Sequence, residues 1–108
     1  MKIRRKYNNW IPKILKVGAI TLYPFILYKR SKTDLKQTPD YLKTIFKHEY
    51  IHIEQVRRLG WLKFYLSYIN ENRKTGYKQN KYELEAWARQ EEPYTEEEQK
   101  AFDEDFGA

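Results

Sequence analysis

Both histidines of this 108-residue chain lie in one pentapeptide, His48-Glu49-Tyr50-Ile51-His52, which reads HExxH. On an α-helix, residues four apart lie on the same face, about 6 Å apart along the axis. Two imidazoles in that arrangement can bind one Zn²⁺ at about 2.0–2.1 Å each. Glu49 follows the first of them, where its carboxylate can take a proton from a water molecule on the metal. The motif therefore predicts a helix with a zinc site on one face.

A catalytic zinc ion needs a third protein ligand, and the composition leaves only a carboxylate for that position. The chain has no third histidine and no cysteine. The extended motif HExxHxxGxxH fails, because Gln55 and Arg58 stand where it needs glycine and histidine. The best candidates lie in residues 80–87, a segment predicted to be helical. The carboxylates that stay open as the third ligand are those of Glu83, Glu85, Glu54 and Glu71.

The run Gly76-Tyr77-Lys78-Gln79-Asn80-Lys81-Tyr82-Glu83-Leu84-Glu85-Ala86 resembles the GYxxNxxExEA motif of the minigluzincins, which are small soluble gluzincin metallopeptidases. These are similar to the catalytic cores of membrane-embedded prenyl-protein endopeptidases. The resemblance covers about residues 18–90 and includes the order of an HExxH helix, a second helix and a glutamate-bearing third helix. It implies that Glu83 is the zinc ligand. Glu85 is the main rival, because it is two residues away and points to a different face of the helix. The membrane relatives commonly have an aspartate where this chain has Trp87.

The resemblance implies metal-assisted hydrolysis of a peptide bond in a peptide or protein substrate. The residues that would hold Zn²⁺ are His48, His52 and Glu83. Glu49 would accept a proton from the attacking water and pass it to the leaving amine. The HExxH histidines and Glu49 are thus expected to work as one unit.

Other side chains are candidates for supporting roles. The oxyanion needs a further donor; Tyr77 lies just before the ligand helix and is the first candidate, and Tyr68 is the second. Gln55, three residues after His52, could orient the site from outside the ligand shell, although a glutamine at such a position more commonly faces solvent. The strand predicted at residues 19–28 could pair with an extended substrate if it forms the rim of the cleft.

The remaining patterns predict an α+β fold, with a small N-terminal antiparallel sheet or hairpin packed on three to four helices. β-Branched and aromatic residues favour one or two strands within residues 19–30, and Pro24 requires an edge position, a bulge or a bend there. Residues 31–37 are predicted to be a polar connection. The motif helix begins at Thr38-Pro39 and ends at Gly60.

Three more helices are expected after the motif helix. The segment 61–72 is apolar nearly all round, so we expect it to be well buried. Asn80 caps a third helix that runs to about Glu92. Thr95 caps a last short helix, and Glu98 completes a capping box with it.

The composition fits one small domain, residues 1–92, followed by an acidic segment, residues 93–108. Aromatic residues make up 17% of the chain and can bury much apolar area. The absence of cysteine fits a reducing compartment, so we expect a cytoplasmic protein. The apolar run 17–28 is too short to span a bilayer. The basic start, residues 1–6, is not followed by a segment with a cleavage site, so export is not expected.

The net charge of +6 conceals a strong asymmetry along the chain. Residues 91–108 hold eight of the 15 acidic residues and one of the 21 basic ones, which leaves residues 1–90 with a net charge of +13. Such an acidic segment can fold back on the basic body. Some minigluzincins are latent with their C-terminal segment in the cleft; the resemblance allows the same here, and a plain packing helix is the alternative.

Two other classes of function stay open. The basic, aromatic-rich body fits a nucleic-acid-binding module, but no recognition motif appears and the basic residues are spread along the chain, so this partner is not expected. The other class is a protein that binds zinc as a scaffold without catalysing a reaction. Replacement of Glu49 would separate an enzyme from a scaffold, because only the enzyme needs that carboxylate.

Overall fold

The computed structural model describes residues 4–15, 17–23 and 25–107. The fold is α+β, as predicted, with 69% of residues in helices and a small three-stranded sheet at the N-terminus. The elements in chain order are β1 (Arg4–Lys6), α1 (Trp10–Leu15), β2 (Ala19–Leu22), β3 (Phe25–Tyr28), α2 (Lys32–Lys36), α3 (Pro39–Leu59), α4 (Trp61–Thr75), a 3₁₀ turn (Tyr77–Gln79), α5 (Lys81–Arg89) and α6 (Glu96–Phe106).

The sheet has the strand order β1-β3-β2. Strands β2 and β3 form the predicted antiparallel hairpin, with Ala19 opposite Tyr28. The third strand, β1, was not predicted, and it pairs with β3 in parallel, with Arg4 opposite Phe25. The sheet is therefore mixed, because a parallel neighbour joins the hairpin. The expected bend or bulge at Pro24 lies outside the described residues.

The segment 31–37 is not the polar connection that the sequence predicted, because α2 forms within it. The hydroxyl of Ser31 accepts a hydrogen bond from the N–H of Asp34 at 3.1 Å, which caps the helix. Leu35 is buried in the main core. One capping serine and one apolar anchor are enough to fold this short helix.

Helix α3 has the predicted bounds, with Pro39 at its first residue and Gly60 after its last. Gly60 has φ +86°, a conformation that glycine adopts without the cost of a side chain. Thr38 stands at the N-cap position, but its hydroxyl donates to the carbonyl groups of Asp34 and Leu35, both at 3.3 Å, instead of capping α3.

Helix α4 differs from the prediction that it is well buried. Of its residues only Phe64 is buried, and four large apolar side chains are 55–63% exposed: Trp61, Leu62, Leu66 and Ile69. Apolar residues all round a helix require neighbours all round it. In the described part of this short chain, α4 packs mainly on α3 and the 3₁₀ turn, so its outer side faces solvent.

The caps of α5 and α6 follow the sequence. The Asn80 side chain accepts a hydrogen bond from the N–H of Tyr82 at 2.9 Å. Helix α5 ends at Arg89 and not at about residue 92 as predicted; Pro93 disfavours helical backbone in the residue before it. The predicted capping box between Thr95 and Glu98 is formed in both directions.

Helix α3 lies between two groups of buried apolar side chains. The main core consists of Ile26, Tyr28, Leu35, Leu42, Phe46, Tyr50, Ile53 and Phe106. The smaller one consists of Val56, Phe64 and Tyr82. Helix α6 thus contributes to the main core through Phe106. Among the described residues, no helix has the length and apolar character needed to cross a membrane.

Candidate metal centre

Helical spacing places both imidazoles on one side of α3. The rings of His48 and His52 have centroids 5.0 Å apart. Both side chains are buried, with 8% and 4% of the residue surface exposed. The i, i+4 relation accounts for this pairing, because such residues are neighbours on a helix surface. The predicted histidine pair therefore shares one buried location.

Glu83 is the carboxylate that meets this pair. Its atom Oε1 lies 2.9 Å from Nε2 of His48 and 3.1 Å from Nε2 of His52. The three ligand atoms all lie within 4.8 Å of one another. Because Asn80 caps α5, Glu83 falls in the first turn of that helix and points at α3.

The rival carboxylates are engaged elsewhere. Glu85 lies beyond the ligands, where it accepts hydrogen bonds from Gln55 at 2.9 Å and from Arg89 at 2.8 Å. Glu54 pairs with Arg89 at the surface. Glu71 is not part of the described group of candidate ligands. The structure thus brings one of the four candidate carboxylates to the histidines.

The second nitrogen of each imidazole is also bonded. Nδ1 of His52 lies 2.8 Å from Oε1 of Gln55. The amide nitrogen of Gln55 donates to the carbonyl of Tyr82 at 3.1 Å, as well as to Glu85, so its oxygen is left to accept from the imidazole. Gln55 thus takes the orienting role, the less common of the two outcomes expected from the sequence, and it directs Nε2 of His52 at Glu83.

Gln90 orients the imidazole of His48 in the same way, and this contact was not predicted from the sequence. Its Oε1 lies 2.9 Å from Nδ1 of His48. Gln90 lies two helical turns beyond Glu83, so a shared helix side is the one signal that could have indicated it. The aspartate that the membrane relatives have is replaced by Trp87, whose ring lies 6.2 Å from that of His48. The side-chain amide of Gln90, one helical turn after Trp87, therefore supplies the hydrogen-bond acceptor for Nδ1 of His48.

Glu49 is held by the sheet. Its Oε2 accepts a hydrogen bond from the hydroxyl of Thr21, on β2. Both residues are buried, with 4% and 7% exposed. The sequence predicted a strand here that could form the rim of the cleft, but it did not indicate Thr21, because no local pattern links residues 28 positions apart. The sheet therefore fixes the side chain expected to move protons.

The two predicted tyrosines differ in position. The hydroxyl of Tyr68 donates to Oε2 of Glu83, and burial together with this carboxylate raises the pKa of Tyr68. Tyr77 is 44% exposed, and its ring lies 5.6 Å from that of Trp87. Burial and the charges of Glu83 and Glu49 raise the pKa of Tyr77 to about 12, so its hydroxyl keeps its proton at neutral pH. Tyr68 contacts the ligands, and Tyr77 lies at the rim.

The charges of these side chains reinforce one another. Burial alone would lower the pKa of His52, but the hydrogen bond to Glu83 and the charges of Glu49 and Glu83 raise it to about 9. Burial opposes the charged form of Glu83, yet hydrogen bonds from His48 and His52 hold the pKa of this carboxyl well below its usual range. A bound cation would take the place of the imidazolium proton.

The geometry fits a metal ion. Four tetrahedral ligands at about 2.0–2.1 Å from an ion lie about 3.4 Å from one another. The two nitrogen–oxygen distances of 2.9 and 3.1 Å are slightly shorter, so a small outward movement makes room for the ion. His48, His52 and Glu83 therefore form a buried group that could bind a metal ion.

No family model, curated protein or solved structure matches this chain significantly. The resemblance to the minigluzincins stays a prediction from the motif residues. The case for a metal centre rests on three side chains that converge on one point and on the two glutamines that orient them.

Proposed function

We propose that the protein is a zinc-dependent metallopeptidase of the gluzincin type that hydrolyses peptide bonds. One observation carries this proposal: the Nε2 atoms of His48 and His52 both point at one oxygen of Glu83, and Glu49 of the same motif is buried beside them. Two imidazoles and one carboxylate are the protein ligands of several catalytic zinc sites, which keep a further position open for water or substrate.

Zinc would be held by His48, His52 and Glu83. When bound, it supplies a Lewis acid that lowers the pKa of water to about 7 and polarises the carbonyl of the substrate. Gln55 and Gln90 keep both imidazoles in the tautomer that directs Nε2 inward. Tyr68 holds the other oxygen of Glu83 and fixes the orientation of this carboxylate.

Glu49 moves the proton in this mechanism. Thr21 donates a hydrogen bond to Oε2 of Glu49 and so holds the carboxylate in place. The other oxygen, Oε1, then accepts the proton of the attacking water. The same oxygen then delivers the proton to the leaving amine. Tyr77, protonated at the rim, is the candidate donor to the oxyanion.

The C-terminal segment packs on the body in this proposal and does not block the cleft. Its ion pairs join Glu98 to Lys47 at 2.7 Å and Glu97 to Arg57 at 2.6 Å. Arg57 lies on the side of α3 opposite to the histidines, and Lys47 lies about 100° around the helix from His48. Helix α6 is therefore a packing helix that can stay in place while substrate binds.

A zinc-binding scaffold without catalysis is the second candidate. It is favoured by the low exposure of the site, since even His48, the most exposed of the four chemically important residues, shows 8% of its surface. A scaffold needs no access for a peptide. The two functions differ in what they require of Glu49.

The deciding experiment compares the wild type with Glu49→Gln and with Glu54→Gln, a control from the exposed side of the same helix. Zinc is measured by elemental analysis, and hydrolysis with fluorescein-labelled casein. We expect about one zinc per chain in all three proteins, and activity about 10²–10⁴-fold lower in Glu49→Gln alone. Zinc without hydrolysis in any of them would favour the scaffold, and wild-type protein without zinc would refute both.

A further inference from the structure

The residues of the proposed active site are largely covered by their neighbours. The four residues with chemical roles are each exposed by 8% or less. Helix α4 supplies the neighbours on one side: Tyr65 contacts strand β2, and Tyr68, one turn later, contacts Glu83 on α5. Because Tyr68 orients a ligand, Tyr65 is the side chain of this pair that can move without disturbing the ligands.

Strand β2 is an edge of the described sheet, and its free side is defined by the register. Lys29 donates its N–H to the carbonyl of Gly18 at 2.9 Å, so the backbone of Gly18 faces β3. Backbone groups alternate in direction along an antiparallel pair. Those of Ala19, Thr21 and Tyr23 therefore point away from β3, where an added strand would bind.

Tyr65 occupies this free side. Its hydroxyl donates to the carbonyl of Thr21 at 3.1 Å and accepts a hydrogen bond from the N–H of Tyr23 at 2.5 Å. In a parallel ladder, a single added residue would use its own N–H and C=O on the same two groups. One phenol thus satisfies the two backbone groups that a bound peptide would need.

We propose that Tyr65 is an internal plug of the peptide-binding edge, whose hydroxyl must leave Thr21 and Tyr23 before an extended substrate pairs with β2. This proposal rests on the proposed function. The same Thr21 whose carbonyl is covered holds Glu49 through its side chain, so a peptide paired here passes directly beside the proton-transfer group. The plug sets how easily substrate enters the site. It does not alter the groups that carry out the chemistry.

The test variant is Tyr65→Phe, which removes the hydroxyl and keeps the ring that packs on Phe64 with centroids 5.1 Å apart. The matched control is Tyr94→Phe, which also removes a hydroxyl that donates to a backbone carbonyl, that of Lys43, but next to α6. Amide exchange by NMR in metal-free protein comes first. The N–H of Tyr23 should exchange faster in Tyr65→Phe and at the wild-type rate in the control.

The second measurement uses two hydroxamates on zinc-loaded and metal-free protein. Acetohydroxamic acid binds a metal ion alone, whereas a tripeptide hydroxamate adds a peptide arm that can pair with β2. Binding of each compound is followed by the NMR chemical-shift changes of the backbone amides of residues 19–23. Tyr65→Phe should bind the tripeptide hydroxamate at least about fivefold more tightly in either form, since the two hydrogen bonds of the Tyr65 hydroxyl no longer have to be broken. Affinity for acetohydroxamic acid should not change.

The outcomes separate the plug from the metal. One outcome is that zinc adds no affinity for either compound while Tyr65→Phe still binds the tripeptide hydroxamate more tightly than the wild type does. In that case the plug stands and the zinc proposal fails. If zinc adds affinity but Tyr65→Phe binds the tripeptide compound equally or more weakly, the plug is refuted and the zinc site stands. Unchanged exchange at Tyr23, or no shift at residues 19–23 in any protein, also refutes the plug.

Discussion

Helix α3 carries buried polar side chains on two different sides, and their hydrogen bonds are arranged differently. On the side that packs against α6, Lys47 pairs with Glu98 at 2.7 Å and donates to the carbonyl of Pro93 at 3.3 Å. On the other side, His48 and His52 share one oxygen of Glu83. The first arrangement pairs one cation with one anion, and the second directs three groups at one point.

This difference separates a structural ion pair from a candidate metal site. Both sides are equally buried, so burial does not distinguish them. The Lys47–Glu98 pair is complete by itself, because each charge has its partner. At the histidines, by contrast, two glutamines orient the rings so that both Nε2 atoms need the same partner, which a cation serves better than one carboxylate oxygen. Convergence of ligands is thus the informative feature.

The largest expected effect lies on the α6 side. Lys47→Met should lower the free energy of unfolding by about 3–5 kcal/mol, because Glu98 is left as a buried charge without its partner. Urea unfolding at neutral pH measures it. The double variant Lys47→Met/Glu98→Gln should recover part of the loss, and both proteins should retain wild-type zinc content. Loss of zinc from Lys47→Met would show that the two sides of α3 are coupled.

The next effect concerns the convergent side. Glu83→Gln keeps the shape of the side chain but removes its charge, so zinc affinity should fall by more than about a hundredfold; loss of an outer partner alone costs about 10–100-fold. Competition with a chromogenic chelator measures it. The variant should stay folded, since the glutamine keeps the size of the carboxylate and its amide can hydrogen-bond the Nε2 atoms of the imidazoles. Wild-type affinity in Glu83→Gln would contradict the assignment of this ligand.

Gln90 gives a smaller effect on the same side. Gln90→Leu leaves Nδ1 of His48 without its acceptor, so the ring loses a fixed orientation and zinc affinity should fall about 10–100-fold. Gln99→Leu is the control, because Gln99 lies on the exposed side of α6 and its side chain bonds only Asp103 among the described residues. Equal affinities in the two variants would mean that Trp87 and the helix alone hold the imidazole.

The parts of the site that follow from local spacing were predicted from the sequence. His48 and His52 are one helical turn apart, and Gln55 is one turn further, so the helix alone brings them together. Glu83 needed the motif resemblance, because no local rule joins α5 to α3. Thr21 and Gln90 were missed for the same reason.

The fold shows the same division between local and tertiary information. Gly60, Asn80 and Thr95 determine helix ends through their own backbone and side-chain bonds, and these predictions were confirmed. Strand β1 has three charged residues and no alternating pattern, and its pairing with β3 depends on a distant segment. The burial of α4 was predicted wrongly, because burial depends on which elements lie over a helix and not on its own residues.

The smallest expected effect sharpens the comparison between neighbouring carboxylates on α5. Glu85 accepts from Gln55, Arg58 and Arg89, and its side chain is 30% exposed. Burial opposes its charge, but these hydrogen bonds lower its pKa. Glu85→Gln should therefore change stability by less than about 1 kcal/mol, as expected for a partly exposed ion pair.

The zinc affinity of Glu85→Gln should stay within about threefold of the wild type, since Gln55 still holds His52 through its own oxygen. The chelator competition used for Glu83→Gln measures both variants side by side. A large loss of zinc in Glu85→Gln, with little change in Glu83→Gln, would exchange the roles of the two carboxylates. The convergence on Glu83 would then be a hydrogen-bond arrangement of the same structural kind as the Lys47–Glu98 pair.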